Sequence, residues 1–483
     1  AYAMLSPGAQ GQVTSATYTT TAQLHDQVDG PVTACDVPEP GLGAGFAFSP
    51  GNTVDSLSMR ITRHRAASGT IALSKAGQSW RVDALSTALQ GTDIGPLLAE
   101  QRFCAALRAG DYSAAEAELT VGWRAEMPTA ALPADFGNSS ATALTGCQAD
   151  VASYQLAASD TTAQVRVSLA VTPQGVAGAS ALTVPVALTF AHQSAWSIAD
   201  VQLAVPNLPA VTSVAALGAP HLPRTAPAAP TVTSQAALLI NPATNQVYFA
   251  QSADTERAMA STTKIMTTVV ALSLAPLDQP LTVTADVVPI DNGISSVAGL
   301  RVGDVLTLRD VLYGLLLPSG DDAAVVIAHG IAGSQPAYVA LMNMEAGLLG
   351  LRETHFANVH GLDVPNHYTS ARDLLTLTEY AMRFSAFDQI VASSTFGLPA
   401  TAQHQAYAWT NTNLLLSSFA GATGVKTGFT GNAGSCLVFA ARRGGHALLG
   451  VVLGEPSQPT EQARFTDAKA LLNWGFGLEQ QGI

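Results

Sequence analysis

Six prolines fall between Pro206 and Pro230, separated mostly by alanine, threonine and small apolar residues. Proline fixes one backbone dihedral and donates no N–H. Such a stretch therefore neither continues a helix nor pairs inside a sheet, and it reads as an extended spacer. A chain of 483 residues cut in this way folds as more than one body, because it is also too long for one ordinary domain. The expected division is a β-rich region over residues 1–97, an α+β domain over 98–205, a proline-rich linker over 206–234, and the largest domain over 235–483. Hydrophobic residues make up 48% and charged residues 12% of the chain, which supplies cores and argues against disorder. A formal net charge of −13 argues against nucleic acid and against an anionic membrane surface as partners. No apolar run reaches the roughly 18 residues of a transmembrane span. The chain starts at Ala1 and reads as processed, so a membrane segment is expected only upstream of that residue.

The first half is rich in threonine, serine and alanine and reads mostly as strands. Residues 56–65 alternate and lead into a hairpin-like pair with a turn near Gly77; residues 163–173, 181–193 and 194–204 repeat the style. The resemblance between residues 71–85 and 186–202, each with a tryptophan near the start of a last strand, suggests a weak internal repeat. Residues 96–120 have helical spacing, broken at Gly110 and Asp111. Of four cysteines, Cys436 sits in an apolar run and reads as a small buried hydrophobe. A Cys104–Cys147 disulfide is one open possibility outside the cytosol, because spacing does not fix connectivity. No titratable cluster in this half suggests chemistry.

The second half carries the chemistry. There are four lysines, Lys75, Lys264, Lys426 and Lys469. Lys264 stands three residues after Ser261, at the start of a strongly apolar helix. Residues three apart share a helix face. A lysine among Ile265, Met266, Val269 and Val270 is expensive to bury without a use. With its proton affinity lowered it can act as base toward a neighbouring hydroxyl. The bland reading makes Ser261 a helix N-cap, which leaves Lys264 unexplained. Residues 307–333 read as helix, short break, helix, with Ser319 in the break and an N-cap as its bland reading. Residues 421–454 read as three strands, with Lys426, Thr427 and Gly428 in the first. Glycine there lets a ligand approach the strand backbone.

Ser-x-x-Lys, Ser319-Gly320-Asp321 and Lys426-Thr427-Gly428 stand in the chain order of active-site serine penicillin-recognising enzymes. From about Ala236 to Gly477 the sequence resembles the D-alanyl-D-alanine carboxypeptidases, the low-molecular-mass penicillin-binding proteins. The likeness rests on residues 260–267, 301–324, 354–382, 411–416, 424–430 and 470–477. It implies a β-lactamase/DD-peptidase-like fold, with an antiparallel sheet flanked by helices and a helical region near residues 265–400. It also implies an acyl-enzyme on Ser261, Lys264 as base and Ser319 as proton relay. Lys426 would hold a positive field and, with Thr427, bind the substrate carboxylate. The N–H groups of Ser261 and Phe429 would form the oxyanion hole. Asp321, Thr427, Gly428 and Phe429 are the expected substrate contacts. No metal or cofactor is required. The partners implied are a peptidoglycan stem peptide and, as inhibitors, β-lactams, in the cell envelope or outside the cell. Residues 98–204 resemble the NTF2-like α+β fold by pattern, which would make the N-terminal half a non-catalytic spacer; residues 1–97 would be an incomplete copy.

Two positions depart from the family pattern. Asp321 stands where asparagine is usual. A carboxylate beside Lys264 and Lys426 would raise the proton affinity of both; alternatively it points away as a favourable charge at a helix N-terminus. Thr412 stands where some relatives carry an arginine. An endopeptidase acting on cross-links and a catalytically silent wall-binding module remain alternatives. A β-lactamase would need a deacylating base, and Glu345 and Glu353 fall in stretches that match the carboxypeptidases instead. His355, His360, Asp363 and His367 lack the spacing of a zinc peptidase.

Overall fold

The computed structural model describes most of residues 94–203 and 222–482, with short gaps, and four strands between residues 34 and 85. The chain divides into two compact units. One holds residues 1–123, 147–168 and 187–201; the other holds residues 124–146, 169–186 and 202–483.

In the early part of the chain, strands β1 (Ala34–Asp36), β2 (Val54–Thr62), β3 (Ala66–Ala76) and β4 (Ser79–Leu85) form an antiparallel meander in sequential order. Helix α1 (Gly95–Ala109) starts with a proline in its first turn and ends at Gly110, whose φ of 70° is the left-handed cap that glycine adopts without strain. Asp111 then caps helix α2 (Tyr112–Ala117), accepting a hydrogen bond from the Ala114 N–H at 3.0 Å. The break expected at these two residues is therefore a C-cap followed at once by an N-cap. Strands β5 (Thr142–Leu156), β6 (Thr162–Pro173), β7 (Leu182–His192) and β8 (Trp196–Leu203) form a second sheet in sequential order. The long strand β5 was not legible in the sequence: most of its residues are half-buried or exposed, so no clean alternation marks it. Cys104 of α1 and Cys147 of β5 are joined by a disulfide. Cys35 and Cys147 lie in the first strands of the two sheets, and Trp80 and Trp196 near the starts of the last, which is the pattern of the suspected repeat.

The second unit is built around a five-stranded sheet with the order β10-β9-β17-β16-β15. Its members are β9 (Ala236–Asn241), β10 (Gln246–Gln251), β15 (Ala422–Thr430), β16 (Gly434–Arg443) and β17 (His446–Glu455). All neighbours are antiparallel, and the pair from the start of the domain joins the three strands from its end through the β9–β17 pairing. β15 is an edge strand. One sheet face packs on a long helix, α9 (Ala463–Gln480 of the chain), through Leu239, Leu437, Phe439, Leu448 and Val452 against Phe465, Leu471, Leu472 and Phe476. Burying each such side chain contributes about 1.5–3 kcal/mol.

The helices between the two halves of the sheet are α3 (Lys264–Leu274), α4 (Leu308–Leu316), α5 (Asp321–Ala332), α6 (Gln335–Leu348), α7 (Ala371–Ala381) and α8 (Ser385–Val391). α3 is buried along nearly its whole length and packs against α5, α6 and α7. A helix apolar all round belongs at the centre of a bundle. Two small two-stranded antiparallel sheets, β11 (Pro280–Thr282) with β12 (Val305–Thr307) and β13 (Thr395–Leu398) with β14 (Tyr407–Thr410), interrupt the region that the sequence presents as mainly helical. Among the described residues no single helix is long and apolar enough to cross a membrane.

Candidate active site

Ser261 lies in a 3₁₀ turn, Ala260–Thr263, and the α-helix begins only at Lys264. Its side chain caps nothing: the N-cap of α3 is Thr263, which makes no side-chain cap bond either. The turn is held by its own hydroxyls, with Thr262 Oγ1 donating to Met259 O at 2.6 Å and Thr263 Oγ1 to Ala260 O at 2.7 Å. Ala260, just before the serine, has a φ of 48°, a strained conformation for a residue with a Cβ. The 358–363 loop lies close against it. A Cβ on Gly361 (φ +103°) would lie 2.1 Å from the Ala260 carbonyl oxygen, so only glycine lets the 358–363 loop approach the serine turn.

Lys264 is fully buried. Its Nζ lies 2.9 Å from Ser261 Oγ, 2.6 Å from Asp321 Oδ1 and 2.7 Å from the backbone oxygen of His360. Three contacts are the full capacity of an ammonium. A neutral amine has two N–H groups and one lone pair. It can donate to Asp321 and His360 while its lone pair faces Ser261, which is the arrangement a base needs. Burial is the largest influence on Lys264 and takes it below the ordinary lysine range, while Asp321 acts in the opposite direction. The expected upward push from Asp321 is present, but burial outweighs it. The carboxylate does not point away; it is both a first-turn charge on α5 and the ion-pair partner of Lys264.

Ser319 precedes α5, but the N-cap is Gly320, again without a side-chain bond. The serine has a φ of 67°, and its Oγ is buried without a hydrogen-bond partner. A strained residue with a spare buried hydroxyl fits a group kept for a ligand rather than for the fold. Asp322, next to Asp321, ties the facing loop in place by accepting from the N–H groups of Ala298 at 2.7 Å and Leu300 at 2.9 Å.

Lys426, Thr427, Gly428 and Phe429 lie on β15. Lys426 is 1% exposed, and burial and the neighbouring Lys264 both push it well below the ordinary lysine range. Its Nζ donates to Thr427 O at 3.0 Å and keeps N–H capacity for another acceptor. Thr427 Oγ1 is 2.6 Å from Thr412 Oγ1, so Thr412 orients the hydroxyl of Thr427. A Cβ on Gly428 would sit 3.1 Å from Ser261 N and 3.1 Å from the Ala260 Cβ; glycine is what lets the strand lie against the serine turn. Phe429 is 44% exposed, a large apolar side chain at the rim. The structure thus brings Ser261, Lys264, Asp321, Lys426 and Gly428 together, with Thr427 and Phe429 on the same strand and Ser319 two residues before Asp321.

Other residues enter that the sequence reading did not assign to the site. Asn413, buried, accepts from Leu415 N through Oδ1 and leaves its Nδ2 without a partner. The carbonyl of His360 completes the lysine site. His367 accepts from Ala357 N through Nδ1, so its Nε2 carries the proton and donates to Thr263 Oγ1 at 2.8 Å. Burial pulls both His360 and His367 down to about 4, so both are neutral at physiological pH. These histidines brace the serine turn. Glu345 is buried in the helical core, and burial pushes its pKa well above the ordinary carboxylate value.

Residues 223–457 match the family model described as D-alanyl-D-alanine carboxypeptidase. A D-alanyl-D-alanine carboxypeptidase of Streptomyces sp. strain K15 is 38% identical over 282 residues, 56% of this chain and 95% of that protein. The chain belongs to the D-alanyl-D-alanine carboxypeptidase family. The family's DacB2 of Mycobacterium tuberculosis is 37% identical over 224 residues, 46% of this chain and 75% of the relative. Against the longer DacC of Escherichia coli, which is 34% identical, the match spans 62% of the relative. The crystal structure of the Streptomyces K15 DD-transpeptidase, 37% identical, aligns with a TM-score of 0.49 over 52% of this chain and 100% of its own. Membership of the family makes the chain a serine-type hydrolase with the DD-peptidase fold.

Proposed function

We propose that the chain removes the terminal D-alanine from peptidoglycan stem peptides through an acyl-enzyme on Ser261, and that β-lactams acylate the same oxygen. The observation that carries this reading is the buried Lys264 Nζ 2.9 Å from Ser261 Oγ. Ser261 Oγ attacks the carbonyl carbon of the penultimate D-alanine as its proton passes to neutral Lys264. The negative charge on the carbonyl oxygen is met by the N–H groups of Ser261 and Phe429. Lys426 and the Thr412–Thr427 hydroxyl pair take the terminal carboxylate in place of an arginine. The C–N bond then breaks, with Ser319 passing a proton to the departing amine. Water hydrolyses the ester, returning Ser261 and a shortened peptide.

The test is intact mass after incubation with benzylpenicillin, beside D-alanine release from a peptide ending in D-Ala-D-Ala. The expected result is one penicilloyl adduct and D-alanine release, both absent in Ser261→Ala. An adduct that persists in the variant would overturn the assignment of the nucleophile. We also propose an extracytoplasmic setting, where this substrate lies. The Cys104–Cys147 disulfide supports it, since such bonds persist in oxidising compartments. Thiol labelling of the protein from intact cells that finds both cysteines reduced would count against that setting.

A further inference from the structure

The last residues of the proline-rich spacer are seated on the second unit. Leu222, Ala226 and Val232 pack on the core formed by β9, β16, β17 and α9, beside Phe249 and Trp474. Trp474 Nε1 donates to Pro227 O at 3.2 Å. The seat ends in a polar cluster that the catalytic reading does not use. Asp467 of α9 accepts through Oδ2 from the N–H groups of Thr233 at 2.6 Å and Ser234 at 3.0 Å. The hydroxyl oxygen of Thr233 lies 2.7 Å from Glu455 Oε2, at the end of β17, and 3.3 Å from Asp467 Oδ2.

Both carboxyl groups are buried, Glu455 at 1% exposed and Asp467 at 5%. One hydroxyl carries one proton. Thr233 therefore donates to one of the two carboxyl oxygens, and its other contact is a hydrogen bond only if that carboxyl group itself donates. Asp467 Oδ2 already takes two backbone N–H groups, so it is the acceptor of the pair and the acid proton belongs on Glu455. Glu455 Oε1 is buried without a hydrogen-bond partner, which costs less on a neutral acid than on a carboxylate. Both contacts are satisfied by a relay in which Glu455 Oε2–H donates to Thr233 Oγ1 and Thr233 Oγ1–H donates to Asp467 Oδ2.

We propose that Glu455 and Asp467 share one proton through Thr233, and that this proton clasps the end of the spacer onto the second unit. Losing it leaves two buried carboxylates facing one hydroxyl, so the clasp opens as the pH rises and frees the spacer end. Burial is the largest influence on Glu455 and Asp467 adds to it, while Thr233 and Arg464 oppose them; the net effect holds Glu455 up to about 8. Arg464, in the first turn of α9, also donates to Gly428 O at 2.9 Å. Cys436 of β16 is pushed up to about 11 by burial and titrates above this window. Opening lets Glu455 ionise in water at the ordinary carboxylate value. Each pH unit above that value makes opening up to about tenfold more frequent, until the closed form also ionises and the dependence levels off.

The experiment is amide hydrogen exchange resolved at Thr233 and Ser234 in the full-length protein across neutral and alkaline pH, each rate divided by the intrinsic rate at that pH to give an opening constant. One linked proton predicts that opening becomes about 10- to 100-fold more frequent between pH 6 and pH 8 and levels off above about pH 8. Glu455→Gln has no proton to lose and still donates from its amide, so its constant should stay within about twofold over the same range. Asp467→Asn removes the like charge, so the levelling point should move to lower pH. A constant that does not change with pH in the unaltered protein, an equal rise in Glu455→Gln, or a levelling point unmoved in Asp467→Asn overturns the shared proton. Melting curves show whether each variant is folded. Should either fail to fold, the profile of the unaltered protein decides alone, since a rise that does not level off near about pH 8 also overturns the proposal.

Discussion

Replacing Asp321 by asparagine should make Ser261 react faster at low pH. In the unaltered site the buried carboxylate lies 2.6 Å from Lys264 Nζ and favours the ammonium form, in which the lysine cannot accept the serine proton. An amide keeps a hydrogen-bond acceptor there but removes the charge. Hydrogen bonds to charged groups contribute about 1.5–3 kcal/mol against roughly 1 kcal/mol for neutral pairs. The ammonium form therefore loses about 0.5–2 kcal/mol of support. At 1.36 kcal/mol per factor of ten, the neutral fraction of Lys264 rises about 2- to 30-fold wherever the lysine is mostly protonated. The sign follows from the direction of the effect: Asp321 raises the lysine's affinity for protons, so its loss moves the acid limb of the rate profile to lower pH. The alkaline plateau, where Lys264 is neutral in both proteins, should stay within a fewfold. The assay is the rate of penicilloyl-enzyme formation in stopped flow from pH 5 to pH 10, with melting temperatures to register the lost first-turn charge of α5. A limb that does not move, or a variant slower at every pH, would show that Asp321 is not setting the protonation of the base.

Three further outcomes are expected. Gly361→Ala forces a Cβ against the Ala260 carbonyl oxygen, and a displacement of the serine turn by about 1 Å should slow acylation about 100-fold; unchanged acylation would mean that the turn does not depend on this approach. Glu345 keeps its proton in the folded state at pH values where the unfolded chain has lost it, so its contribution to stability declines as the pH rises through the ordinary carboxylate range. Glu345→Gln should accordingly gain stability relative to the parent as the pH rises from 5 to 8 in denaturant titrations, and a pH-independent difference would refute this. Reducing Cys104–Cys147, 43 residues apart, removes a loop constraint of about 4 kcal/mol in the chain-entropy account, and a shift below about 1 kcal/mol in denaturant titration with reductant would contradict it.

The catalytic half was legible because its chemistry violates composition. A lysine inside an apolar helix has no cheap structural explanation, and glycine beside lysine on a strand marks a close approach; these signals marked Ser261, Lys264, Lys426 and Gly428, and the family resemblance supplied the rest. What local pattern could not supply was the three-dimensional support. The N-cap readings of Ser261 and Ser319 failed because a 3₁₀ turn and a left-handed residue look, in sequence, like ordinary helix starts. His360 acts through its carbonyl, which every residue possesses, and so carried no signal. Asp321 was open between two directions because a first-turn acid is favourable wherever it points; here it serves both ends. Strand β5 was hidden for a different reason: its partly exposed faces dull the alternation that reveals buried strands.

The position of β15 at the edge of its sheet has a consequence for solubility. An edge strand offers a row of unpaired peptide groups to any other extended chain, including another copy of the same protein. Natural edges are commonly protected by charges, bulges or proline, yet the strand that holds Lys426 to Phe429 buries its one lysine and exposes a phenylalanine at its rim. The serine turn, admitted by Gly428, covers part of this edge and narrows what is left for pairing. Substitutions that loosen the turn should therefore show themselves twice, as lost acylation and as a rising tendency to aggregate, because the turn both carries Ser261 and lies against this edge.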